Sequence, residues 1–374
     1  MILLLIVIAL LLVFSLTYAV YYSYLRYNAR KPWNIKIQNN FQPPITILVP
    51  THNEESNIEG KLANIGEVHY PKDKMEVIIV DDASEDKTLC KAKEAINGGL
   101  GFRSKIVQQE SRGGKAVALN AALDFVSSSI VIVSDADTLW SPDILEKAMP
   151  FLADPTVGAV TGRGLNEQTD KSWVTKAEDN YLELTSSVRL GESKIGSTIR
   201  FEGGFCAYKK EAFDKFDCES GSDDSGTALD VVQHNYRTIF LPQAVFYTSF
   251  PNSLTGKFRV KVRRANQLIS LWIKCLGFAS KRKLILPKRI VVPDSFLFIV
   301  NPFVFLALIF ASVGYVVLNP FSVLSIFLLA LILCLLIFVR NLFLELVVDN
   351  LLLSYAAIGY LFGRRYVAWK KTKN

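Results

Sequence analysis

The chain has 374 residues, enough for one large domain or two modest ones, and half of them are hydrophobic. Its mean hydropathy of +0.26 is high for a soluble protein, and the apolar excess lies at the two ends of the chain. The formal net charge is +7, the five cysteines have no paired or metal-binding spacing, and the three histidines are scattered. The composition therefore disfavours a disulfide framework and a zinc site.

An uncharged run at the start of the chain, from Ile2 to about Tyr24, is long enough to span a bilayer. No basic residue precedes this run, and no small-residue cleavage site clearly ends it. We therefore interpret residues 1–24 as a retained membrane anchor rather than a removed signal peptide. Residues 25–43 are interpreted as a linker that ends at Pro43-Pro44.

From residue 44 to about 250, the sequence pattern alternates between short apolar strands and amphipathic helices. This order predicts an α/β domain with a mostly parallel sheet and helices on both faces. Residues 201–250 look irregular apart from two short strands. The predicted strands are 45–49, 76–80, 104–108, 130–134, 157–162, 205–208 and 238–241, and the predicted helices are 55–65, 86–96, 115–127, 142–152 and 172–190.

Polar clusters follow three of these strands directly: Pro50-Thr51-His52-Asn53-Glu54, Asp81-Asp82 and Asp135-Ala136-Asp137. In a parallel α/β sheet, ligands bind outside the carboxyl ends of the strands. We therefore expect the acidic groups to converge on one crevice. That arrangement predicts a site for a cation and a phosphorylated ligand.

Each cluster suits a distinct contact. Asp135 and Asp137 offer hard oxygen ligands, which favours Mg²⁺ or Mn²⁺ bridging a diphosphate, although the same pattern is common in turns. Asp82 could accept a hydrogen bond from the imide of a base, or it could cap the following helix. Gly113-Gly114-Lys115 opens a helix, where backbone N–H groups and the lysine charge attract phosphate.

A fourth cluster, Asp223-Asp224, lies in a glycine-flanked stretch that reads as a loop. A loop carboxylate near the end of the domain could act as the general base toward an acceptor hydroxyl. Two adjacent aspartates in a loop are usually solvated and have no catalytic role. The spacing alone favours this second interpretation.

Taken together, these motifs resemble the family 2 glycosyltransferases of GT-A fold, over roughly residues 44 to 270. The resemblance implies an inverting, metal-dependent transfer from a UDP- or GDP-sugar, with Asp224 as the general base. It also implies that Asp137 and Asp135 hold the metal and that Lys115 approaches the diphosphate. It assigns Pro50, Thr51, Glu54, Asp82 and Asp135 to the donor site, and Asp223, Arg263, Arg264, Gly203 and Gly204 to the acceptor or diphosphate.

The membrane layout resembles the cellulose, hyaluronan and poly-N-acetylglucosamine synthases, which carry Gln-x-x-Arg-Trp after the base. The corresponding stretch here is Lys261-Val262-Arg263-Arg264-Ala265, so the arginine remains at Arg264 but the glutamine and tryptophan are missing. This difference favours transfer of a single sugar to a lipid-linked acceptor. A processive polysaccharide synthase is the alternative, and a non-catalytic membrane scaffold is a weaker one.

The C-terminal part is predicted to contain membrane helices within residues 294–363. Two uncharged runs, Ser295–Leu318 and Phe321–Val339, are clear spans, whereas 341–363 carries Glu345 and Asp349 and is left open between a span and an interfacial helix. Basic residues flank the central region, which predicts a multi-pass protein of the cell membrane with a cytoplasmic catalytic domain.

The basic residues between Lys257 and Arg289 are interleaved with apolar ones. This mixture suits membrane lipids rather than nucleic acid, so 251–290 is predicted to be a basic amphipathic interfacial segment. Residues 364–374 are predicted to form a basic cytoplasmic tail.

Overall fold

The computed structural model describes residues 2–166, 173–248 and 254–364. Residues 365–374 of the predicted basic tail lie outside the described residues. So do residues 251–253 of the predicted interfacial segment and residue 172 of the predicted helix 172–190. The strands are β1 (Ile45–Thr51), β2 (Met75–Asp81), β3 (Arg103–Gln108), β4 (Ile130–Val133), β5 (Thr138–Trp140), β6 (Val157–Asn166), β7 (Cys206–Lys209) and β8 (Arg237–Thr248). The helices are α1 (Ile2–Ala29), α2 (Ile58–Glu67), α3 (Thr88–Asn97), α4 (Lys115–Leu123), α5 (Ile144–Leu152), α6 (Trp173–Ile195), α7 (Asp223–Gln233), α8 (Leu254–Ser280), α9 (Lys288–Ser295), α10 (Asn301–Leu318), α11 (Val323–Phe338) and α12 (Arg340–Leu361).

These strands form one sheet in the order β3-β2-β1-β4-β7-β6-β8-β5. The pairs β1–β2, β1–β4, β2–β3 and β6–β8 are parallel, and the other three pairs are antiparallel. Thr51 is level with Asp81 in the first pair, and Leu48 is level with Val133 in the second. The polar clusters after β1, β2 and β4 therefore share one edge, and the predicted mostly parallel α/β fold is confirmed.

The sheet has a separate hydrophobic core on each face, because successive strand residues point to opposite sides. In β1, Ile47 and Val49 face the core under α2, α3 and α5, whereas Leu48 faces the core under α4, α7, α8 and α9. Strand β2 alternates in the same way. The central residues of both strands are apolar because both faces of the strands are covered.

Two elements near the predicted site differ from the sequence-based prediction. The stretch around Asp223-Asp224 is not a loop: both residues lie in the first turn of α7, where the helix dipole stabilises acidic side chains. The flanking Gly221 and Gly226 concealed this helix, since glycine is a poor helix former. The short strand β5, which directly follows Asp137, was also not predicted.

In the part of the chain that the structure describes, three helices are long and apolar enough to cross a membrane: Ile2–Ala29, Lys288–Leu318 and Leu342–Leu361. The second contains a π-helical turn at Phe296–Val300. The segment predicted as a clear span at 321–339 contains a helix of 16 residues. It is about 24 Å long at 1.5 Å per residue, which is shorter than a hydrocarbon core of about 30 Å. The segment left open at 341–363 contains the longer helix α12.

Helix α8 lies between the sheet and α12. Leu271, Trp272 and Cys275 belong to the core of the sheet, and Ala265 and Ile269 pack against α12. The sheet and α12 therefore cover much of the apolar surface of α8, which the sequence analysis had assigned to contact with a membrane leaflet. The acidic residues of α12 face this helix, because Lys261 forms ion pairs with Glu345 and with Asp349, the latter at 3.1 Å.

Candidate active site

An ion-pair cluster at the carboxyl edge of the sheet joins residues from three separate motifs. The Nζ atom of Lys115 lies 2.7 Å from Oδ1 of Asp135 and 3.0 Å from Oδ2 of Asp223. Lys115 begins α4, Asp135 follows β4, and Asp223 begins α7. The fold thus brings together the predicted phosphate, metal and acceptor motifs in one crevice.

The turn after β4 presents Asp135 and Asp137. The backbone N–H of Asp135 donates to the carbonyl of Gly203 at 3.1 Å, and its own carbonyl accepts from the Thr138 hydroxyl at 2.9 Å. Burial and then repulsion from Asp135 and Glu54 raise the pKa of Asp137 to about 6. Burial raises the pKa of Asp223 to about 6 as well, with Asp224 and Asp135 adding repulsion and Lys115 opposing it.

Burial is the largest cause of both pKa shifts, and repulsion between neighbouring carboxylates adds to it. A divalent cation would relieve the repulsion, and paired carboxylate oxygens are the donors that Mg²⁺ and Mn²⁺ accept. Within residues 2–166, 173–248 and 254–364, no group of three or more His, Cys, Asp or Glu side chains is arranged to hold a metal. Asp135 and Asp137 therefore fit an ion that takes its remaining ligands from substrate phosphate and water.

Glycine at positions 203 and 204 allows a close approach of neighbouring groups, because a side chain at either position would clash with them. A Cβ atom on Gly203 would lie 2.6 Å from Nζ of Lys115 and 2.7 Å from Oδ2 of Asp135. A Cβ atom on Gly204 would lie 2.2 Å from the ring of Phe246. Gly203 therefore lies at the ion-pair cluster, whereas Gly204 is buried against Phe246. The predicted contact of both glycines with an acceptor or a diphosphate stays a prediction.

Asp82 braces the glycine turn before α4. Its two carboxylate oxygens accept the backbone N–H groups of Gly113 at 2.7 Å and Gly114 at 2.9 Å. Gly114 has a φ of +90°, a conformation that glycine adopts without a steric penalty. Asp82 is 4% exposed, so it offers little surface to a base, and its predicted base contact stays a prediction.

The residues after β1 lie deep beside the crevice. Thr51 and Glu54 are 3% and 2% exposed, and the Glu54 carboxylate accepts a hydrogen bond from the Asn57 amide at 2.6 Å. Pro50 lies within β1, level with Val80. Their predicted place in the donor pocket is compatible with this edge of the sheet and remains a prediction.

Asp224 is held in a fixed orientation at the start of α7. Its Oδ1 atom accepts from the backbone N–H of Ser225 at 2.8 Å and from the Ser222 hydroxyl. The preceding loop is fastened to α8, because Lys274 pairs with Asp217 at 3.0 Å and the Gln267 amide donates to the carbonyl of Gly221. A carboxylate oriented in this way can accept a proton from a group placed beside it.

Arg263, one of the two predicted arginines on α8, is half-buried and is attracted to the acids of the cluster. Burial and the neighbouring Arg264 lower its pKa, while Asp135, Asp224 and Asp223 oppose that change through attraction. Arg264, which occupies the position of the arginine in Gln-x-x-Arg-Trp, is exposed. The helical phase of α8 therefore directs Arg263 to the crevice.

Lys61 is a member of the site that the sequence did not suggest. It is 0% exposed, its Nζ atom donates to the carbonyl of Thr138 at 2.9 Å, and it lies 4.5 Å from the ring centroid of Trp140. Burial lowers its pKa to about 7, although Asp135 and Asp137 oppose this. Through this hydrogen bond to Thr138, Lys61 stabilises the turn that carries Asp135 and Asp137.

Replacing Lys61 with methionine is expected to destabilise the protein by about 1–3 kcal/mol, because the buried carbonyl of Thr138 loses its donor. The melting temperature measured by differential scanning fluorimetry should fall accordingly. Lys91→Met is the matched control, since Lys91 forms a largely exposed pair with Glu59 on neighbouring helices. Equal melting temperatures for the two variants would contradict the supporting role of Lys61.

Comparison with known proteins gives concordant matches. The chain matches the family described as glycosyl transferase family 2 over residues 46–217. A mannosyltransferase from Pyrobaculum calidifontis in complex with GDP-Man and Mn²⁺ is 30% identical, with a TM-score of 0.82 over 97% of this chain and 100% of that chain. The poly-beta-1,6-N-acetyl-D-glucosamine synthase of Staphylococcus aureus is 30% identical over 253 residues, which are 64% of this chain and 58% of that protein. The synthase of Staphylococcus epidermidis is 25% identical over 257 residues, 66% and 60% of the two chains.

Proposed function

The chain belongs to glycosyltransferase family 2, as its motifs predicted, and from this membership we propose that it transfers one sugar from a nucleotide-sugar donor to a lipid-linked acceptor. The observation that carries the proposal is the convergence of Asp135, Lys115 and Asp223 in one crevice. This crevice is joined through α8 to a helix long enough to span a membrane.

In this proposal Asp135 and Asp137 would hold Mg²⁺ or Mn²⁺, which when bound would supply stabilisation of negative charge on the departing diphosphate. Lys115 and Arg263 supply fixed positive charge at the same place. Asp224 accepts the proton of the acceptor hydroxyl. The hydroxyl oxygen bonds to the anomeric carbon as the bond to the diphosphate oxygen breaks, so the nucleoside diphosphate leaves with the electron pair and the configuration inverts.

The donor is proposed to be a UDP- or GDP-sugar, and the P. calidifontis relative, which was solved with GDP-Man, supports this class. The membrane-length helices support a lipid-linked acceptor, and the basic residues beside them support a cytoplasmic catalytic domain. The alternative is a processive polysaccharide synthase, which the two staphylococcal relatives favour. The chain spans only 58% and 60% of their lengths, and it lacks the glutamine and tryptophan described above.

The test is release of nucleoside diphosphate by the detergent-purified chain. A panel of UDP- and GDP-sugars is supplied with Mn²⁺, with and without total lipid extract. Lipid-stimulated release with one donor, and a lipid-extractable product that carries one labelled sugar, would support the proposal. A ladder of product lengths would favour the processive alternative, and an absence of nucleotide binding in the presence of Mn²⁺ would contradict both.

The two arginines of α8 give a matched pair of variants. Arg263→Ala is expected to lower kcat/KM for the donor about 10- to 100-fold, because charge-assisted hydrogen bonds to phosphate are strong. Arg264→Ala should change kcat/KM less than threefold, since its side chain is exposed. The same release assay measures both variants, and the reverse ranking would return the role to Arg264.

A further inference from the structure

The metal turn, residues 134–140, carries the two aspartates proposed to bind the cation and is hydrogen-bonded to the segment Gly203-Gly204. The carbonyl groups of these glycines accept from three of its groups: the backbone N–H of Asp135 at 3.1 Å, the hydroxyl of Ser134 at 3.1 Å and the indole N–H of Trp140 at 2.7 Å. The three donors lie at the start, in the middle and at the end of the turn. The position of the glycine segment therefore sets the position of the metal turn.

The residue before these glycines, Glu202, is tied to helix α6. Its Oε1 atom accepts a hydrogen bond from Nη1 of Arg189, in an ion pair. The side chain of Arg189 is only 5% exposed, and its guanidinium carbon lies 4.1 Å from the ring centroid of Phe240 on β8. Glu202 is therefore paired with a cation whose own position is fixed by burial.

Helix α6 is itself closely packed around Arg189. Two residues further along, Gly191 lies against α1, where a Cβ atom would approach the carbonyl oxygen of Leu25 to 2.3 Å. The hydroxyl of Ser193 accepts the backbone N–H of Phe240 at 2.9 Å, which ties the same stretch of helix to β8. Close-packed contacts of this kind resist displacement, so Arg189 projects from a rigid support.

The hydrogen bonding of Arg189 argues for a role in orientation. Among the residues that the structure describes, its Nε and Nη2 atoms have no hydrogen-bond partner. Burying a charged group with incomplete hydrogen bonding costs free energy, and a buried ion pair is weak evidence for stability. The benefit of this arginine is then to be sought in what it orients.

We propose that Arg189 is a positioning residue: through Glu202 it fixes the two glycine carbonyls, and thereby the carboxylates of the metal turn that would hold Mg²⁺ or Mn²⁺. Neither Arg189 nor Glu202 is a proposed ligand of the ion. Groups that orient metal ligands typically contribute about 10- to 100-fold to metal affinity or activity. This inference rests on the metal-dependent function proposed above.

The test measures Mn²⁺ affinity of the detergent-purified full chain by electron paramagnetic resonance of the free ion. The variants are Arg189→Gln, Glu202→Gln and the double variant. Each single variant is expected to lower Mn²⁺ affinity about tenfold, at the lower end of the usual range. The double variant should lose no more than either single variant, because the two residues act as a unit. Since the side chain of Glu202 is 38% exposed, Glu202→Gln should fold even if Arg189→Gln does not.

Arg237→Gln is the matched control. Arg237 also ties α6 to β8, because its Nε atom donates to the carbonyl of Gly196 at 3.0 Å and its Nη2 atom to the carbonyl of Ser193 at 2.8 Å. It begins β8, which is parallel to β6, and so lies at the edge of the sheet opposite the crevice. Arg237→Gln should lower the melting temperature but leave Mn²⁺ affinity within twofold of the unmodified chain.

Three results would overturn the positioning role while leaving the transferase proposal intact. They are an unchanged Mn²⁺ affinity in Glu202→Gln, additive losses in the double variant, and a loss in Arg237→Gln equal to that in Arg189→Gln. The last result would mean that any loosening of α6 weakens the site. If the unmodified chain does not bind Mn²⁺, the metal-dependent function itself fails, and the positioning role fails with it.

Discussion

Asp224→Asn is expected to lower sugar transfer at least 10³-fold while leaving donor and Mn²⁺ binding within about threefold, in line with the usual contribution of general-base catalysis. Asparagine has the same shape and still accepts from Ser225 N–H and the Ser222 hydroxyl, so the start of α7 should keep its structure. What it cannot do is accept the proton of the acceptor hydroxyl. The measurement is single-turnover transfer with labelled donor, with nucleotide affinity determined in parallel.

Asp230→Asn is the matched control for this variant. Asp230 lies on the same helix, and its carboxylate faces His234 rather than the crevice. Its activity should equal that of the unmodified chain. Full transfer by Asp224→Asn would remove Asp224 from the mechanism, whereas a parallel loss of donor binding would assign it to binding instead of catalysis.

Asp137→Ala is expected to abolish turnover, with a loss of at least 10³-fold, because one of the two carboxylates proposed to hold the cation disappears. Mn²⁺ affinity, followed by electron paramagnetic resonance of the free ion, should fall at least tenfold. The melting temperature should not decrease, since Asp135 and Glu54 repel the Asp137 carboxylate in the unmodified chain and the alanine variant relieves this repulsion.

Asp73→Ala serves as the control for this second prediction. Asp73 is exposed and directly precedes β2, so it lies at the edge of the sheet opposite the crevice. Neither Mn²⁺ affinity nor turnover should change in this variant. If Asp137→Ala binds Mn²⁺ as the unmodified chain does, the ion is held elsewhere and the metal assignment is wrong.

Most of the fold could be predicted because its signals are local and repeated. Four predicted strands, each followed by a predicted helix, imply a parallel sheet, and the end of each strand marks the ligand edge. This rule alone predicts that Asp135 and Lys115 lie at the same edge of the sheet, before any distance between them is known. The comparisons confirm the family, the GT-A fold and the glycosyltransferase class.

The parts that could not be predicted depend on helix phase and on contacts between distant segments. Lys61 looks like a solvated lysine on the surface of a helix, and only the packing of α2 under β5 buries it. Arg263 and Arg264 are adjacent in sequence but point in different directions on α8. The two hydrogen bonds to Asp82 come from residues about 30 positions away, which no local pattern encodes.

Helix α8 connects the segment that precedes Asp224 to α12, a helix long enough to span a membrane. One side of this helix is tied to the segment before Asp224 through Gln267 and Lys274, and the other is tied to α12 through Lys261. A helix that adjusts its tilt to the thickness of the hydrocarbon layer will shift its partners with it. If α12 spans the membrane, as proposed above, a change in its tilt would be passed through Lys261 and α8 to the segment that precedes Asp224.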